Sequence, residues 1–280
     1  MDGSPHDWFE GHRSNCTLLL AIDDATSRVT SVRFEEAETT NGYFRLITDH
    51  IQTYGRFRAA YTDKHRIFRY SGSSTDSKIC TQIQRALDEL DIELVCANSP
   101  QAKGRVERAN RMFQDRLIKA TRLHAICEIA NANVYLPQFI AEHNARFAKQ
   151  PALNEGAHRS ASELDLPNIL CRHEERIVTK NLMFQVDDDF FALTDSYSRR
   201  MLSVDSRITI HQHPDDRMTV YHGNHELVAD RLGKRVRVAP IVGSKDLNAR
   251  LDRRIPDSRY SRLPAANHPW RTYSKPPTPV

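Results

Sequence analysis

The sequence predicts a mixed α/β fold in its first half, with helices flanking a mixed sheet, followed by a small all-β barrel module. An apolar run and an alternating run joined by a short polar turn predict an antiparallel hairpin at Cys16–Glu35. Helix and strand patterns then alternate to about residue 150, which is typical of parallel crossovers. From Arg176 the pattern changes to short strands separated by Asp-rich turns.

The first half is predicted to run hairpin, helix, strand, helix, strand, helix, helix. In the hairpin, Asp23 and Asp24 are expected to form the turn. Thr39 or Thr40 is expected to cap the first helix, and Gly55 to end it. Ala59–Thr62 reads as a short strand that ends in Asp63.

The later elements of the first half follow from the apolar spacing. An amphipathic helix is predicted around Ile83 and Leu87, and the next strand at Ile92–Cys96. Ser99 and Pro100 are expected to open a long helix, and a last helix carries Leu136 to Phe147 with Pro137 in its first turn.

The chain is therefore predicted to contain four parts. The predicted barrel strands are 176–186, 190–194, 207–213 and 217–222. The predicted parts are an α/β core at 1–150, a linker at 151–172, a β-barrel domain at 173–232, and a basic, Pro-rich, partly disordered tail at 233–280.

Charge and cysteine content narrow the function class. The net charge is +4, yet Arg231–Val280 alone holds 12 Lys/Arg against 3 Asp/Glu, together with 7 of the 13 prolines. Such a tail is expected either to bind a polyanion such as nucleic acid or only to aid solubility.

Five scattered cysteines without a CxxC pair argue against a disulfide framework and a cysteine-based zinc site, and favour a cytoplasmic protein. Neither a secretory signal nor a membrane span is predicted.

Three acidic residues are the candidate catalytic and metal-ligating residues. Asp2 lies where a first strand is expected, Asp63 ends a strand, and Glu107 lies in the first turns of the long helix. If they meet, their mutual repulsion favours binding of hard divalent cations, namely Mg²⁺ with Mn²⁺ as a substitute. Taken singly, each has a simpler explanation as a terminal residue, a turn cap or a helix ion-pair partner.

The helix around Glu107 is the candidate DNA-binding surface. Residues 101–125 hold 7 Lys/Arg against 2 acids. The residues predicted to hold the DNA backbone are Lys103, Arg105, Asn110 and Arg111. The alternative is a solvated basic helix without a partner.

Several segments together resemble a known family. They are DGSPHDWFEG from Asp2, LLLAIDDATSRV, YTDKHRIF from Tyr61, and SPQAKGRVERANRMFQDRL from Ser99. Over about the first 150 residues they look like the integrase-type catalytic core of insertion-sequence DDE transposases, a group related to retroviral integrases. The second half, including FQV at Phe184 and SRITI at Ser206, resembles the small β-barrel that follows the core.

The resemblance implies an RNase H-like core and a DDE triad of Asp2, Asp63 and Glu107. It also implies two Mg²⁺ ions and metal-dependent cleavage and strand transfer on double-stranded DNA, at the transposon ends and the target. The implied assembly is a homo-oligomer on paired ends, without a membrane partner, in the cytoplasm at the nucleoid.

Two alternatives stay open. Because the sequence begins one residue before Asp2, we expect an N-terminally truncated copy. Such a copy could be a catalytically inactive remnant that only binds DNA or a full-length transposase. A nonspecific metal-dependent nuclease of the same fold is the other alternative.

The remaining candidates receive structural interpretations. Trp8 and Phe9 are expected in the core. Four histidines fall on predicted barrel strands or turns without zinc-like spacing, and they are interpreted as scattered surface residues: His211, His213, His222 and His225.

Overall fold

The computed structural model describes residues 1–63, 66–68, 80–96, 100–151, 156–234 and His268. For residues 100–103 and 105 it describes the backbone but not the side chains. The described residues form twelve strands and six helices. The strands are β1 (Asp2–His6), β2 (Cys16–Ile22), β3 (Val29–Glu35), β4 (Ala59–Thr62), β5 (Glu93–Cys96), β6 (Arg172–Ile177), β7 (Met183–Val186), β8 (Asp189–Leu193), β9 (Arg207–Gln212), β10 (Met218–His222), β11 (His225–Leu227) and β12 (Ala229–Lys234). The helices are α1 (Thr40–Tyr54), α2 (Gln82–Glu89), α3 (Pro100–Leu123), α4 (Ile129–Phe147), α5 (Leu166–Ile169) and α6 (Ser196–Met201).

The first half contains both antiparallel and parallel strands. β1, β2 and β3 form an antiparallel sheet in which Asp2 lies opposite Leu20. β4 and β5 pair in parallel. The amino group of Met1 donates to the backbone oxygen of Tyr61 at 2.6 Å and so links the start of β1 to β4. The predicted hairpin and mixed α/β character are confirmed.

Two apolar layers cover the antiparallel sheet. Leu18 and Leu20 face a core that includes side chains of α3 and α4, whereas Leu19 and Ala21 face a core that includes side chains of α1 and α2. This alternation follows from the two-residue period of a strand. Because both faces are covered, β2 is buried over nearly its whole length.

The predicted core residues Trp8 and Phe9 are 1% and 3% exposed. The Trp8 indole nitrogen donates to the backbone oxygen of Ser4 at 3.0 Å, which satisfies its buried N–H.

The boundaries of the first helix follow from local chemistry. The Thr39 hydroxyl accepts from the Gly42 amide, as an N-cap should. Gly55 ends the helix with a positive φ of 87°. The predicted caps of α1 are therefore confirmed.

The predicted position of Pro137 is wrong. α4 begins at Ile129, so Pro137 lies in the helix interior rather than in its first turn. Proline lacks the N–H that would bond to the carbonyl of Asn133. The Asn133 side chain bonds both backbone groups of Phe34, at 2.8 Å and 3.1 Å, and so anchors this turn to β3.

The second half is a β module built from two sheets. One sheet has the order β11-β10-β9-β6, and the other has the order β12-β8-β7. The described strands do not form the single closed barrel that the sequence predicted. The core of the module includes Phe184, Ile208, Ile210 and Val220.

Two further predictions for this module are wrong. The predicted strand at 176–186 is two strands, because a turn before β7 places Leu182 at a φ of 55°. The helix α6 interrupts the strands, and Asp195 caps it by accepting from the Ser198 amide at 2.6 Å.

The β module contacts the first half through partly buried hydrogen bonds. The Gln82 side chain exchanges two hydrogen bonds with the backbone of His173, each 2.9 Å long. Arg85 donates to the backbone oxygens of Ile169 and Cys171. These contacts fix the start of β6 against α2.

The chain divides into two compact units, Met1–Gly233 and Lys234–Val280. In the second unit, only Lys234 and His268 are described. The rest of this unit, which makes up nearly all of the predicted basic tail, lies outside the described residues. Each helix in the described part of the chain is too short or too polar to cross a lipid bilayer.

We predict that Gly55→Ala destabilises the protein by about 1–3 kcal/mol. A Cβ at this position would lie 2.6 Å from the backbone oxygen of Arg159, and the positive φ adds strain. Urea unfolding measures the change. Gly11→Ala is the matched control, since Gly11 also has a positive φ but nothing within 4 Å of its Cβ position, and its loss should be smaller. Equal losses in both variants would contradict the steric argument.

A second prediction concerns acid sensitivity. Burial and the neighbouring His158, whose Nε2 lies 3.2 Å from that of His50, lower the pKa of His50 from 6.5 to about 4. His50 therefore binds a proton more readily in the unfolded chain than in the folded protein. The free energy of unfolding consequently decreases as pH falls from about 6.5 to 4. His50 alone should contribute a loss of about 2 kcal/mol between pH 7 and pH 5.

Urea unfolding of His50→Gln at both pH values measures this loss. The variant should show a shallower pH dependence than the wild type, whereas the control His124→Gln, at an exposed position, should retain the wild-type slope. An unchanged slope in His50→Gln would contradict the assignment.

Candidate active site

Three elements carry the predicted acidic residues. Asp2 is the first residue of β1, Asp63 directly follows β4, and Glu107 lies on α3. The helix α3 packs against β1, β2 and β4. One helix therefore lies beside both strand ends that carry the aspartates.

Two side-chain hydrogen bonds join α3 to β1. The Asn110 amide Nδ2 donates to Asp2 Oδ2 at 2.9 Å, and one turn later Gln114 Nε2 donates to Ser4 Oγ at 3.1 Å. Residues four apart share a helix face, as do alternate residues of a strand. Asn110 is only 7% exposed, so its contact with Asp2 is largely shielded from water.

In addition to burial, the negative charges of Asp2 and Asp63 both raise the pKa of Tyr43. Its side chain is fully buried, and burial is the largest cause that raises its pKa above the usual range. The negative charges of Glu38, Asp2 and Asp63 raise this pKa further. The fold thus brings Asp2 and Asp63, which are far apart in sequence, near the same phenol group.

Glu38 is an acidic residue of this region that the sequence analysis missed. Its Oε1 accepts a hydrogen bond of 2.7 Å from the Tyr43 hydroxyl. A Cβ placed on Gly3 would lie 2.7 Å from Glu38 Cδ, so the carboxylate covers the backbone next to Asp2. The one available signal was local: Glu38 directly precedes the N-cap of α1, where a negative charge is favourable.

The side chains of Glu107 and Arg111 on α3 are exposed to solvent. Glu107 precedes Asn110 by three residues, so it shares the face that contacts β1. The side chains of Lys103 and Arg105 are outside the described part of the structure, and the DNA-binding roles of all four predicted residues stay predictions.

The donor set fits a hard divalent cation. Carboxylate and amide oxygens are the ligands that Mg²⁺ and Mn²⁺ prefer. Asn110 Oδ1 is buried and has no hydrogen-bond partner among the described residues, although the same amide is bonded to Asp2. A cation with bound water near Asp2 would supply this oxygen with a partner.

Two curated proteins are similar to this chain in sequence. "Putative transposase y4bF" of Sinorhizobium fredii (strain NBRC 101917 / NGR234) is 39% identical over 254 residues, which are 89% of this chain and 55% of that protein. "Transposase for insertion sequence IS1202" of Streptococcus pneumoniae is 35% identical over 182 residues, which are 64% of this chain and 38% of that protein. No protein-family profile matches the chain.

A solved structure also aligns with the chain. It is a chain from the cryo-EM structure of the simian T-cell lymphotropic virus intasome in complex with the PP2A regulatory subunit B56 gamma, with 14% identity. The alignment covers 85% of this chain and 78% of that one, and its TM-score of 0.41 is too low to establish a shared fold.

The two curated relatives confirm the resemblance to insertion-sequence transposases that the sequence motifs indicated. The chain is thus similar in sequence to one putative transposase and to one transposase for an insertion sequence. The chain spans about half the length of the first of these relatives and less of the second.

We predict that Asn110→Ala weakens Mn²⁺ binding by about 10–100-fold, as expected when a residue that orients a metal ligand is removed. The matched control is Gln114→Ala, one turn further along the same face, which removes a bond to Ser4 rather than to a carboxylate. Isothermal titration with Mn²⁺ measures both affinities. An affinity in Asn110→Ala equal to that of the control would contradict the orienting role.

Proposed function

We propose that this chain is the catalytic part of a DDE-type DNA transposase, a polynucleotidyl transferase that cleaves DNA at the ends of an insertion sequence and joins them to target DNA. The packing of one helix carries the proposal: α3, which bears Glu107, packs against β1, which starts with Asp2, and against β4, which Asp63 follows, and its Asn110 amide donates to Asp2. The raised pKa of the buried Tyr43, to which both aspartates contribute, supports the same arrangement. The sequence similarity to two transposases supports the same function.

Asp2, Asp63 and Glu107 are the residues that would hold the metal, two Mg²⁺ ions with Mn²⁺ as a substitute. When bound, the ions would activate the attacking oxygen and stabilise the leaving oxygen of a phosphodiester. A positioned site of this kind needs no covalent enzyme intermediate, because catalysis consists of orientation and charge neutralisation.

The other residues of the site have distinct roles in this proposal. Asn110 orients the Asp2 carboxylate through their 2.9 Å bond. Tyr43 holds Glu38 over Gly3, so a further negative charge lies beside the aspartates. The exposed Arg111, together with Lys103 and Arg105, binds DNA phosphates along α3.

The proposal also covers the fold of the first half, the roles of the β module and the tail, and the assembly of the protein. We infer that the first half is an RNase H-like core, since its order of antiparallel hairpin, helix, parallel strands and the long helix that bears Glu107 suits that fold. The β module and the basic tail would add DNA contacts. Assembly as a homo-oligomer on paired ends, at the nucleoid in the cytoplasm, belongs to the same proposal.

The alternative is a chain that binds DNA or a full-length transposase without cutting. It differs from the main proposal in one measurable way, because it predicts DNA binding without any metal-dependent cleavage. A nonspecific nuclease would instead nick plasmid DNA without regard to the element's ends.

We predict that Glu107→Gln lowers strand transfer by at least about 10²-fold, the scale expected when one electrostatic group of an active site is lost. DNA binding should be retained, because the basic residues of α3 are unchanged. The assay uses DNA carrying the ends of the element that encodes the chain, with Mg²⁺ or Mn²⁺, and a binding measurement in parallel.

Asp115→Asn is the matched control, since Asp115 is an exposed acid on the same helix that pairs with Lys119. It should retain strand transfer. Full activity of Glu107→Gln would overturn its catalytic role. Binding without cleavage in the wild type would favour the non-catalytic alternative.

A further inference from the structure

A cluster of metal-ligating side chains lies at the start of the β module, away from the acidic site. Cys171 and His173 are two residues apart at the entrance to β6, and His211 is the direct partner of His173 in the pairing of β6 with β9. One ligand atom from each residue lies within 4.8 Å of the others. The two imidazole rings stack in parallel, with centroids 3.9 Å apart.

Asn168 sets the tautomers of both histidines. His173 Nε2 lies 2.8 Å from the Asn168 backbone oxygen, and His211 Nδ1 lies 3.2 Å from Asn168 Oδ1. The amide orientation is fixed because Asn168 Nδ2 donates to Asp165 Oδ2 at 2.7 Å. Both partners of the histidines are therefore acceptors, so Nε2 of His173 and Nδ1 of His211 carry the protons.

The other nitrogen of each neutral ring is left unprotonated. These are Nδ1 of His173 and Nε2 of His211. Metal-binding histidines in proteins commonly donate their second N–H to a carbonyl or carboxylate oxygen, which fixes the ring for coordination. Asn168 provides both such oxygens here, and Asp165 supports Asn168 in turn.

We propose that Cys171, His173 and His211 bind one zinc ion, with water as the fourth ligand. One thiolate and two imidazoles suit a tetrahedral Zn²⁺ site. Because a ring nitrogen ligates a metal in the plane of its ring, the two stacked imidazoles must rotate out of their parallel arrangement to share one ion at about 2.0–2.1 Å. The Cys171 thiol, which donates to the Asn168 backbone oxygen at 3.1 Å, releases its proton to the solvent when it ligates the ion.

The charges around the cluster permit a cation. Arg85 approaches the backbone oxygen of Cys171, and its guanidinium also pairs with Glu89 at 2.8 Å. Asp165 adds a negative charge on the opposite side, through Asn168. His213 is buried nearby, but its two nitrogens contact Pro167 and Thr219, so it is left outside the ligand set.

The ion would fasten the β module to the first half. Cys171 and His173 lie in the segment that Arg85 and Gln82 of α2 hold, and His211 lies on the central strand β9. Strand pairing and stacking already join β6 to β9. Zinc would add a link that depends on metal supply and is lost with a chelator.

The test is titration of the metal-free full chain with Co²⁺, which reports thiolate ligation through a charge-transfer absorption band. We expect one Co²⁺ per chain with this band, and its loss when Zn²⁺ is added. Cys171→Ser should lack the band, while the control Cys127→Ser, at a half-buried cysteine outside the cluster, should keep it. Binding of Co²⁺ at the acidic site gives no thiolate band, so the two sites are distinguished.

Two further measurements keep the test independent of variant folding. In the wild type, Zn²⁺ should slow alkylation of Cys171 but leave that of the buried Cys16 unchanged, as measured by peptide mass spectrometry. Asn168→Ala should weaken zinc affinity by about 10–100-fold. Equal alkylation of Cys171 with and without Zn²⁺, or stoichiometric Co²⁺ binding without a thiolate band, would overturn the proposal.

Discussion

The candidate active site depends on holding carboxylates close together. Like charges at short range repel, and burial strengthens the repulsion because the surroundings polarise less than water. The fold provides neutral donors for this purpose: the Asn110 amide contacts Asp2, and the Tyr43 hydroxyl contacts Glu38. Neither donor carries a positive charge that would compete with a metal ion. These two contacts therefore order Asp2 and Glu38 without adding a positive charge.

The apolar face of α3 determines where its polar face lies. Phe113 and Leu117 are fully buried against the sheet, and burial of each such side chain contributes about 1.5–3 kcal/mol. A hydrogen bond to a carboxylate, such as that from Asn110 to Asp2, contributes about 1.5–3 kcal/mol, which is less than the two apolar side chains contribute together. Packing thus sets the register of the helix, and the contacts of Asn110 and Gln114 with β1 follow from it. Glu107 is carried to the same face by helical spacing.

Sequence patterns predicted what local chemistry controls. The hairpin, the Thr39 cap and the Gly55 stop depend on neighbouring residues, and they are confirmed. Pro137 was mispredicted because tertiary contacts of Asn133 with Phe34 tolerate a local irregularity in α4. The break before β7 is instead a local turn, which hydrogen bonds between Thr179 and Met183 close. Glu38 was missed because its proximity to Gly3 depends on the tertiary contact between β1 and the segment before α1, which local sequence patterns do not show. The interpretation of His211 and His213 as scattered surface residues is also wrong: His213 is buried, and strand register places His211 on His173.

Two asparagines show how differently the two polar clusters are built. At Asn168 the backbone oxygen, the side-chain oxygen and the amide nitrogen all contact other groups, so that cluster is satisfied as it stands. At Asn110 the nitrogen is bonded to Asp2 but the buried oxygen lacks a partner among the described residues. An unsatisfied buried acceptor costs about 1–3 kcal/mol, which the rest of the fold must offset. A polar group kept at that cost beside acidic side chains is better explained by binding than by stability, because the water bound to a cation supplies the missing donor.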